Sequence, residues 1–289
     1  MHLKIITIGI SCGMIKPGPI GVFDSGYGGL TVLKEFIHTL PQYDYLYLGD
    51  NARAPYGTRS FDTVYEYTLQ CVKHLFNEGC SLVVLACNTA SAKALRTIQQ
   101  KDLPHLENHL RVLGVIRPTT EIVGNYTKTN HVGVFATKGT VISQSYVVEI
   151  NKFYPQIQVF QEACPMWVPL VENNEHTGAG ADYFVQKHID SLLASSPQID
   201  TILLGCTHYP LLLDKIRKYT PAHITILTQG QIVANSLADY LNRHPELEQY
   251  CSKGGTHQYL TTDDTENFNA QAGNFLGHEV ASKHANIIG

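Results

Sequence analysis

Two cysteines occupy matched settings in this chain. Cys87 closes the run "SLVVLAC" and is followed by Asn88, Thr89 and Ser91, while Cys206 closes "TILLGC" and is followed by Thr207 and His208. Each apolar run has the composition of a strand, and each polar cluster opens a segment with helical spacing. Both thiols are therefore expected just past the carboxyl end of a strand and beside a helix N-terminus. In parallel α/β sheets ligands sit at that position, because the following loops converge there and helix N-termini present free N–H groups. A helix N-terminus also lowers the pKa of a thiol, and a thiolate is both a nucleophile and a proton acceptor. Two thiols on opposite sides of one bound molecule have the geometry to take a proton from one face of a carbon and return one to the other, which inverts a stereocentre. Either cysteine alone reads first as a small buried hydrophobe, and its polar neighbours as helix caps. The repetition is what argues for chemistry.

Other strand ends repeat the placement. "DSGYGG" sets Asp24 and Ser25 after "PIGVF", with Gly26, Gly28 and Gly29 permitting close approach of backbone to a ligand. "NARAPYG" sets Tyr56 and Gly57 on a loop after the strand that ends near Asp50, and Thr137 and Thr140 follow "HVGVFA". Hydroxyls and N–H donors of this kind suit a carboxylate better than a phosphate, since no Walker-type lysine motif is present.

The elements that would hold these groups follow from the rest of the chain. Its 289 residues, 44% hydrophobic and 16% charged, are enough for two modest domains. A net charge of −4 without a local run of Lys and Arg gives no field for a nucleic-acid backbone. Seven cysteines, an odd number without the spacing of a disulfide framework, point to reduced thiols and a cytoplasmic setting. "LKIITIGISCGM" near the start resembles a secretion segment only weakly, and a strand or a true start at Met14 fits it better. No apolar run approaches the length of a membrane span, so no membrane association is expected.

Short apolar runs alternate with helical patterns through "PIGVF", "YLYLGD", "SLVVLAC" and "RVLGVI", and the rhythm restarts with "HVGVFATKG", "IQVFQEAC", "TILLGC" and "ITIL". This order predicts an α/β fold with mainly parallel sheets. "GVFDSG" matches "GVFATKG", and "LVVLAC" matches "TILLGC", in the same order and at nearly one separation, which suggests a duplicated half and two pseudo-symmetric lobes with the site in the cleft between them. Convergence of two common strand patterns is the plainer alternative. The expected division is residues 1–114 with 230–289 as a first lobe carrying Asp24 and Cys87, and 115–229 as a second carrying Glu172, Cys206 and His208. The tail after residue 255 reads as strand, turn and helix returning to the first lobe.

Taken together, "GVFDSGYGG", "DNARAPYG", "LACNTASA", "VPLVE" and "GCTHYPLL" resemble the glutamate racemases, cofactor-independent enzymes that supply D-glutamate for peptidoglycan. The resemblance covers about residues 20–280. It implies that Cys87 and Cys206 are the two proton donor/acceptors, that Asp24 and His208 assist on their respective sides, and that Glu172 is a further assisting carboxylate. It implies substrate contacts from Asp24, Ser25, Tyr56, Gly57, Asn88, Thr89, Thr137, Thr140, Thr207 and His208, with Ser25, Asn88, Thr89 and Thr207 donating to the α-carboxylate. It implies glutamate as the small-molecule partner, no pyridoxal phosphate or other cofactor, no metal, and a fold of two α/β lobes; racemases of this kind are often homodimers. Met166 with Trp167 departs from the family pattern, and a place at the pocket rim, a lobe contact or a subunit contact is expected for them.

Rival readings remain at this level. A racemase for aspartate or another small amino acid shares the chemistry, whereas a related decarboxylase needs only one protonating thiol. A thiol hydrolase using Cys206 and His208 fits poorly, because such partners usually come from distant segments. A zinc site from Cys87, Cys206 and His208 lacks paired ligand spacing. A two-lobed binding protein without catalysis would leave the cysteines as core residues.

Overall fold

A computed structural model describes residues 16–287 of the chain. The expectations for residues 1–13 lie outside the described residues. Ten strands form two sheets: β1 Ile20–Asp24, β2 Tyr45–Gly49, β3 Leu82–Leu85, β4 Arg111–Gly114, β5 His131–Ala136, β6 Gln158–Ala163, β7 Thr201–Gly205, β8 Thr225–Leu227, β9 His257–Thr261 and β10 Ser282–His284. The first sheet runs β10-β9-β2-β1-β3-β4 and the second β6-β5-β7-β8. Every pairing between named strands is parallel.

Without the two returning strands, the first sheet has the same order as the second: within each set of four, second, first, third, fourth. The duplicated sequence runs thus become equivalent strands, β1 with β5 and β3 with β7. Two pseudo-symmetric α/β lobes result. In each, the order reverses between the first and third strands, and loops leaving such a switch point splay apart to leave a crevice. The residues singled out in the sequence leave these four strands. Asp24 ends β1, Cys87 lies two residues past β3, Thr137 follows β5, and Cys206 follows β7.

Helices cover both faces of the sheets, so β1, β2, β3 and β7 are buried throughout and read as unbroken apolar runs. A single apolar cluster extends from Ile20, Leu33 and Phe36 of the first lobe to Phe135, Trp167 and Leu204 of the second. The lobes therefore share part of their core. The helix Gly230–Arg243 packs along Leu30–Thr39, and β9 adds to the free edge of β2, which brings the tail back to the first lobe. The helix Thr265–Leu276 begins at Asp264, whose side chain accepts from the Asn267 N–H, and ends at Gly277 with φ +83°. β10 is an additional strand for which the sequence carries little apolar signal.

Two elements differ from the expectation. "NTASAKALRTIQQ" is not one regular helix: Asn88–Lys93 is followed by Leu95–Thr97 and then by a wider turn over Ile98–Asp102. Trp167 belongs neither to the pocket rim nor to a subunit contact. It is fully buried in the second lobe, with ring centroids 4.8 Å from both Phe135 and Tyr209, while its neighbour Met166 is exposed. Replacing a buried tryptophan by alanine removes contact area and leaves a void. Trp167→Ala is expected to lower the unfolding free energy by about 3–5 kcal/mol, read as a lower urea midpoint at unchanged m-value.

Candidate active site

On the first-lobe side, Asp24 points a buried carboxylate from the end of β1. Its Oδ1 accepts the Gly26 N–H at 2.9 Å, and its Oδ2 is buried without a partner. Burial raises the carboxyl above its ordinary range, against the opposing pull of His208 and the Gly26 and Gly29 N–H groups. Cys87 is the N-cap of the helix Asn88–Lys93, and its Sγ accepts from the Ala90 N–H at 3.4 Å. Ser25 Oγ lies 3.4 Å from the same sulfur. The sequence predicts that this helix N-terminus favours a thiolate. The hydrogen bonds from Ser25 and Ala90 do act in that direction, but burial and the charge of Asp24 outweigh them and push the thiol up to about 12. Cys87 is a protonated thiol at neutral pH.

The second-lobe thiol is held differently. Cys206 follows β7 but caps no helix: the tight turn Tyr209–Leu212, which Pro210 helps to open, comes before the α-helix Leu213–Tyr219. The expected symmetry of two helix N-termini is broken here. In its place stands an imidazole, with His208 Nδ1 3.8 Å from Cys206 Sγ and Nε2 3.0 Å from Glu172 Oε1. Glu172 comes from the last residue of the helix Trp167–Glu172. Burial opposes charge on the ring, yet the hydrogen bonds and charges of Cys206 and Glu172 prevail and raise His208 to about 10. At neutral pH the second side therefore carries an imidazolium between the Cys206 sulfur and the Glu172 side chain.

The two sides are in contact. A Cβ added at Gly28 would fall 2.3 Å from Thr207 Oγ1 and 2.4 Å from His208 Nδ1, so only glycine lets the first lobe's loop reach the second lobe's thiol loop. Thr31 Oγ1 donates to Thr207 O at 2.9 Å across the same junction. Farther along the cleft Thr89 Oγ1 lies 2.9 Å from Thr137 Oγ1 and 3.4 Å from Thr140 Oγ1, and Gly57 backs onto the Thr137 side chain. Charge at Cys206 is among the influences raising the Cys87 thiol, which places both sulfurs in one electrostatic environment.

Tyr56 and Asn88 contribute less plainly than their types suggest. The buried Tyr56 hydroxyl donates to Asp50, which also pairs with Arg53 and accepts from Thr262. The "PYG" turn is thereby fixed, and its phenol is engaged within the first lobe. Asn88 Nδ2 lies 2.7 Å from Tyr146 Oη and 2.7 Å from Gln229 Oε1, so both of its hydrogens are committed. What its side chain leaves free is Oδ1, an acceptor, while its backbone N–H remains in the first turn of the helix. Sequence reasoning did not single out Asp50, Tyr146 or Gln229. Gln229 lies two residues beyond β8, so the strand-end rule would have found it; Tyr146 is the second residue of the helix Ser145–Phe153, away from any strand end, and carries no such signal.

A cavity of about 580 Å³ opens on the other face of the Cys87 helix, lined by Ser91, Ala92 and Leu95 together with Arg96, Arg117 and Lys152. Neither thiol lines it. Among the described residues no three His, Cys, Asp or Glu side chains are grouped to hold a metal ion, and no helix is long and apolar enough to cross a membrane.

The sequence over residues 21–237 matches the model of the Asp/Glu/hydantoin racemases. The chain belongs to this family. A glutamate racemase from a Ruegeria species is 38% identical over 276 residues, covering 92% of this chain and 99% of that protein. Among solved structures, a glutamate racemase isoform from Bacillus anthracis superposes with a TM-score of 0.85 at 33% identity, over 93% of this chain and 97% of that one. The glutamate racemase of Francisella tularensis in complex with D-glutamate gives 0.82 at 30% identity, over 93% and 98%. In this racemase-family chain the loop that carries Asp24 and Ser25, the latter beside Cys87, meets the loop that carries Cys206 and His208, the latter beside Glu172.

The raised pKa of His208 carries a consequence for stability. A group that binds its proton more tightly when folded stabilises the fold fully below its unfolded value of 6.5, and that contribution is lost as pH rises through about 10. The raised Cys87 thiol adds a loss of the same sign between 9.0 and about 12. Melting temperature should fall as pH rises from about 6.5 to 10, and His208→Asn should flatten that slope while leaving the loss at higher pH, as followed by differential scanning calorimetry.

Proposed function

We propose that this protein is a cofactor-independent racemase that interconverts L- and D-glutamate by two-base chemistry, with Cys87 and Cys206 on opposite sides of the substrate Cα. The observation that carries the reading is the pairing of two thiols from equivalent strand ends, each with its own ionisable support: Asp24 beside Cys87, and His208 with Glu172 beside Cys206. Glutamate is favoured over aspartate because the relatives that match nearly the whole chain at 38% identity are named glutamate racemases.

The chemistry asks that a weakly acidic C–H lose its proton to sulfur. Each unit of pKa mismatch costs about 1.36 kcal/mol, so the site must stabilise charge as it develops on the α-carboxylate. Backbone N–H groups at the start of the helix Asn88–Lys93 and the hydroxyls of Ser25, Thr89 and Thr207 are the donors for this, in a cleft where both thiols are only 6% exposed and water weakens hydrogen bonds little. The resting protonation suits one direction of turnover. Cys87 holds a proton to give, and the imidazolium at His208 is the partner that a thiolate at Cys206 requires. After one turnover the roles are exchanged, and Asp24 and His208 are placed to restore them. Asp24, buried with an unpaired oxygen, also offers that oxygen as an acceptor for the substrate ammonium.

Thr137 and Thr140 close the pocket from the second lobe, and Tyr56 acts through the turn it anchors, with Gly57 offering backbone. D-Glutamate made in the cytoplasm for peptidoglycan is the biological use this reading implies.

The test is L-glutamate in deuterated water, with chirality and Cα deuterium followed together. Early in the reaction the D-glutamate formed should carry deuterium while recovered L-glutamate does not, because different thiols remove and deliver the hydrogen. Cys87→Ser and Cys206→Ser should each lower racemisation by at least about 10²–10⁴-fold. Racemisation at the wild-type rate in either variant would remove the two-thiol assignment.

A further inference from the structure

A planar side-chain amide can be placed in two ways that differ only in which neighbours meet its oxygen and which meet its nitrogen. For Asn88 that choice is made by a backbone carbonyl two groups away. Gln229 is 4% exposed, and its Nε2 lies 3.2 Å from Val115 O, an atom that can only accept. The NH2 of Gln229 must therefore face Val115, and it also lies within reach of Thr119 Oγ1 at 3.1 Å and Tyr146 Oη at 2.8 Å. With the nitrogen so fixed, Gln229 Oε1 is turned toward Asn88 and accepts from Nδ2 at 2.7 Å. Tyr146 Oη accepts the other Asn88 hydrogen at 2.7 Å. Reversing Asn88 alone would set two carbonyl oxygens against each other with no proton between them.

The result is a polarity handed from Val115 to Gln229 to Asn88, and it leaves Asn88 Oδ1 buried without a donor. An unserved buried acceptor costs about 1–3 kcal/mol, and a ligand that brings a donor removes the cost. Glutamate with both carboxylates ionised offers donors only on its ammonium group. We propose that Val115 O, Gln229 and Tyr146 form an orientation relay that holds Asn88 Oδ1 as an acceptor for the substrate ammonium, with Gln229 as its positioning residue. The assignment rests on glutamate being the substrate. It gives Asn88 a role distinct from donation to the α-carboxylate, and it places the control of that role where the chain crosses between lobes, Val115 lying just past β4 and Gln229 just past β8.

The test is a double-mutant cycle with Gln229→Met and Asn88→Ala, read as D-glutamate affinity by titration calorimetry and as KM and kcat. Gln229→Met should weaken D-glutamate by about ten-fold, as expected for one hydrogen bond to a charged group. The change should appear mainly in KM and should vanish in the Asn88→Ala background. Glutarate, the same dicarboxylate without the amine, should bind wild type and Gln229→Met alike. Tyr146→Phe, which removes the hydroxyl contacting both amides, should act in the same direction and decides the matter if Gln229→Met does not fold. Equal weakening of D-glutamate and glutarate, or an effect of Gln229→Met that persists without the Asn88 side chain, overturns the relay. Wild-type protein that neither binds nor racemises glutamate would instead remove the functional reading beneath it.

Discussion

Everything at this site depends on charges and thiols held out of water. Asp24, Cys87, Cys206 and His208 all expose 6% or less of their surface, a setting in which charges act on one another with little screening by solvent. Burial alone would discharge the imidazole and keep Cys87 neutral. The imidazole stays charged because Cys206 and Glu172 flank it, whereas Cys87 stays neutral because its burial, reinforced by Asp24, opposes a thiolate. Near-symmetric chemistry is thus prepared by an asymmetric environment. A racemase needs one thiol with a proton and one positioned to lose it, and two identical surroundings would not distinguish them.

The fold supplies this environment through repetition followed by divergence. The duplicated strand order puts a thiol beyond the third strand of each lobe, and the switch point beside it opens the crevice. Divergence then occurs in the loops. After β3 the chain enters a helix at once, with the sulfur as its cap; after β7 it makes a tight turn and brings His208 back to the sulfur. Gly28 lets the lobes meet at this second loop. A larger residue there would separate His208 from the first-lobe groups whose charges it influences, Asp24 among them.

Much of this was legible in the sequence because it depends on local pattern. Eight strands announced themselves as apolar runs, most clearly β1, β2, β3 and β7, which are buried throughout, and the strand-end rule placed Asp24, Ser25, Cys87, Thr137 and Cys206 at the carboxyl ends of equivalent strands. What was not legible depends on how much burial a group suffers and on partners distant in sequence. The helix N-terminus beside Cys87 is real, yet its effect is smaller than the desolvation that only a packed structure reveals. Trp167 suggested a rim or contact position because a lone aromatic beside a motif carries no period, and its three aromatic neighbours come from β5, the helix Ala179–Ser195 and the turn after β7. That Asp50 takes the Tyr56 hydroxyl is likewise shown by nothing local in the sequence.

The amide chain from Val115 to Asn88 shows why lobe arrangement and site chemistry are not separable in this protein. Val115 O is exposed to Gln229 because Val115 opens the helix Ile116–Ile122, where the carbonyl still has room for an acceptor contact beyond its bond from Thr119 Oγ1. Gln229 reaches it because the helix Gly230–Arg243 carries the chain back onto Leu30–Thr39 immediately afterwards. Tyr146 comes from the second lobe and meets both amides. Three segments that each join or flank the lobes therefore converge on one side chain of the Cys87 helix. Any rotation of one lobe against the other must either carry this buried cluster along or break hydrogen bonds that no water replaces. The hydrogen bonds among Asn88, Tyr146 and Gln229 thus tie the start of the Cys87 helix to both lobes at once.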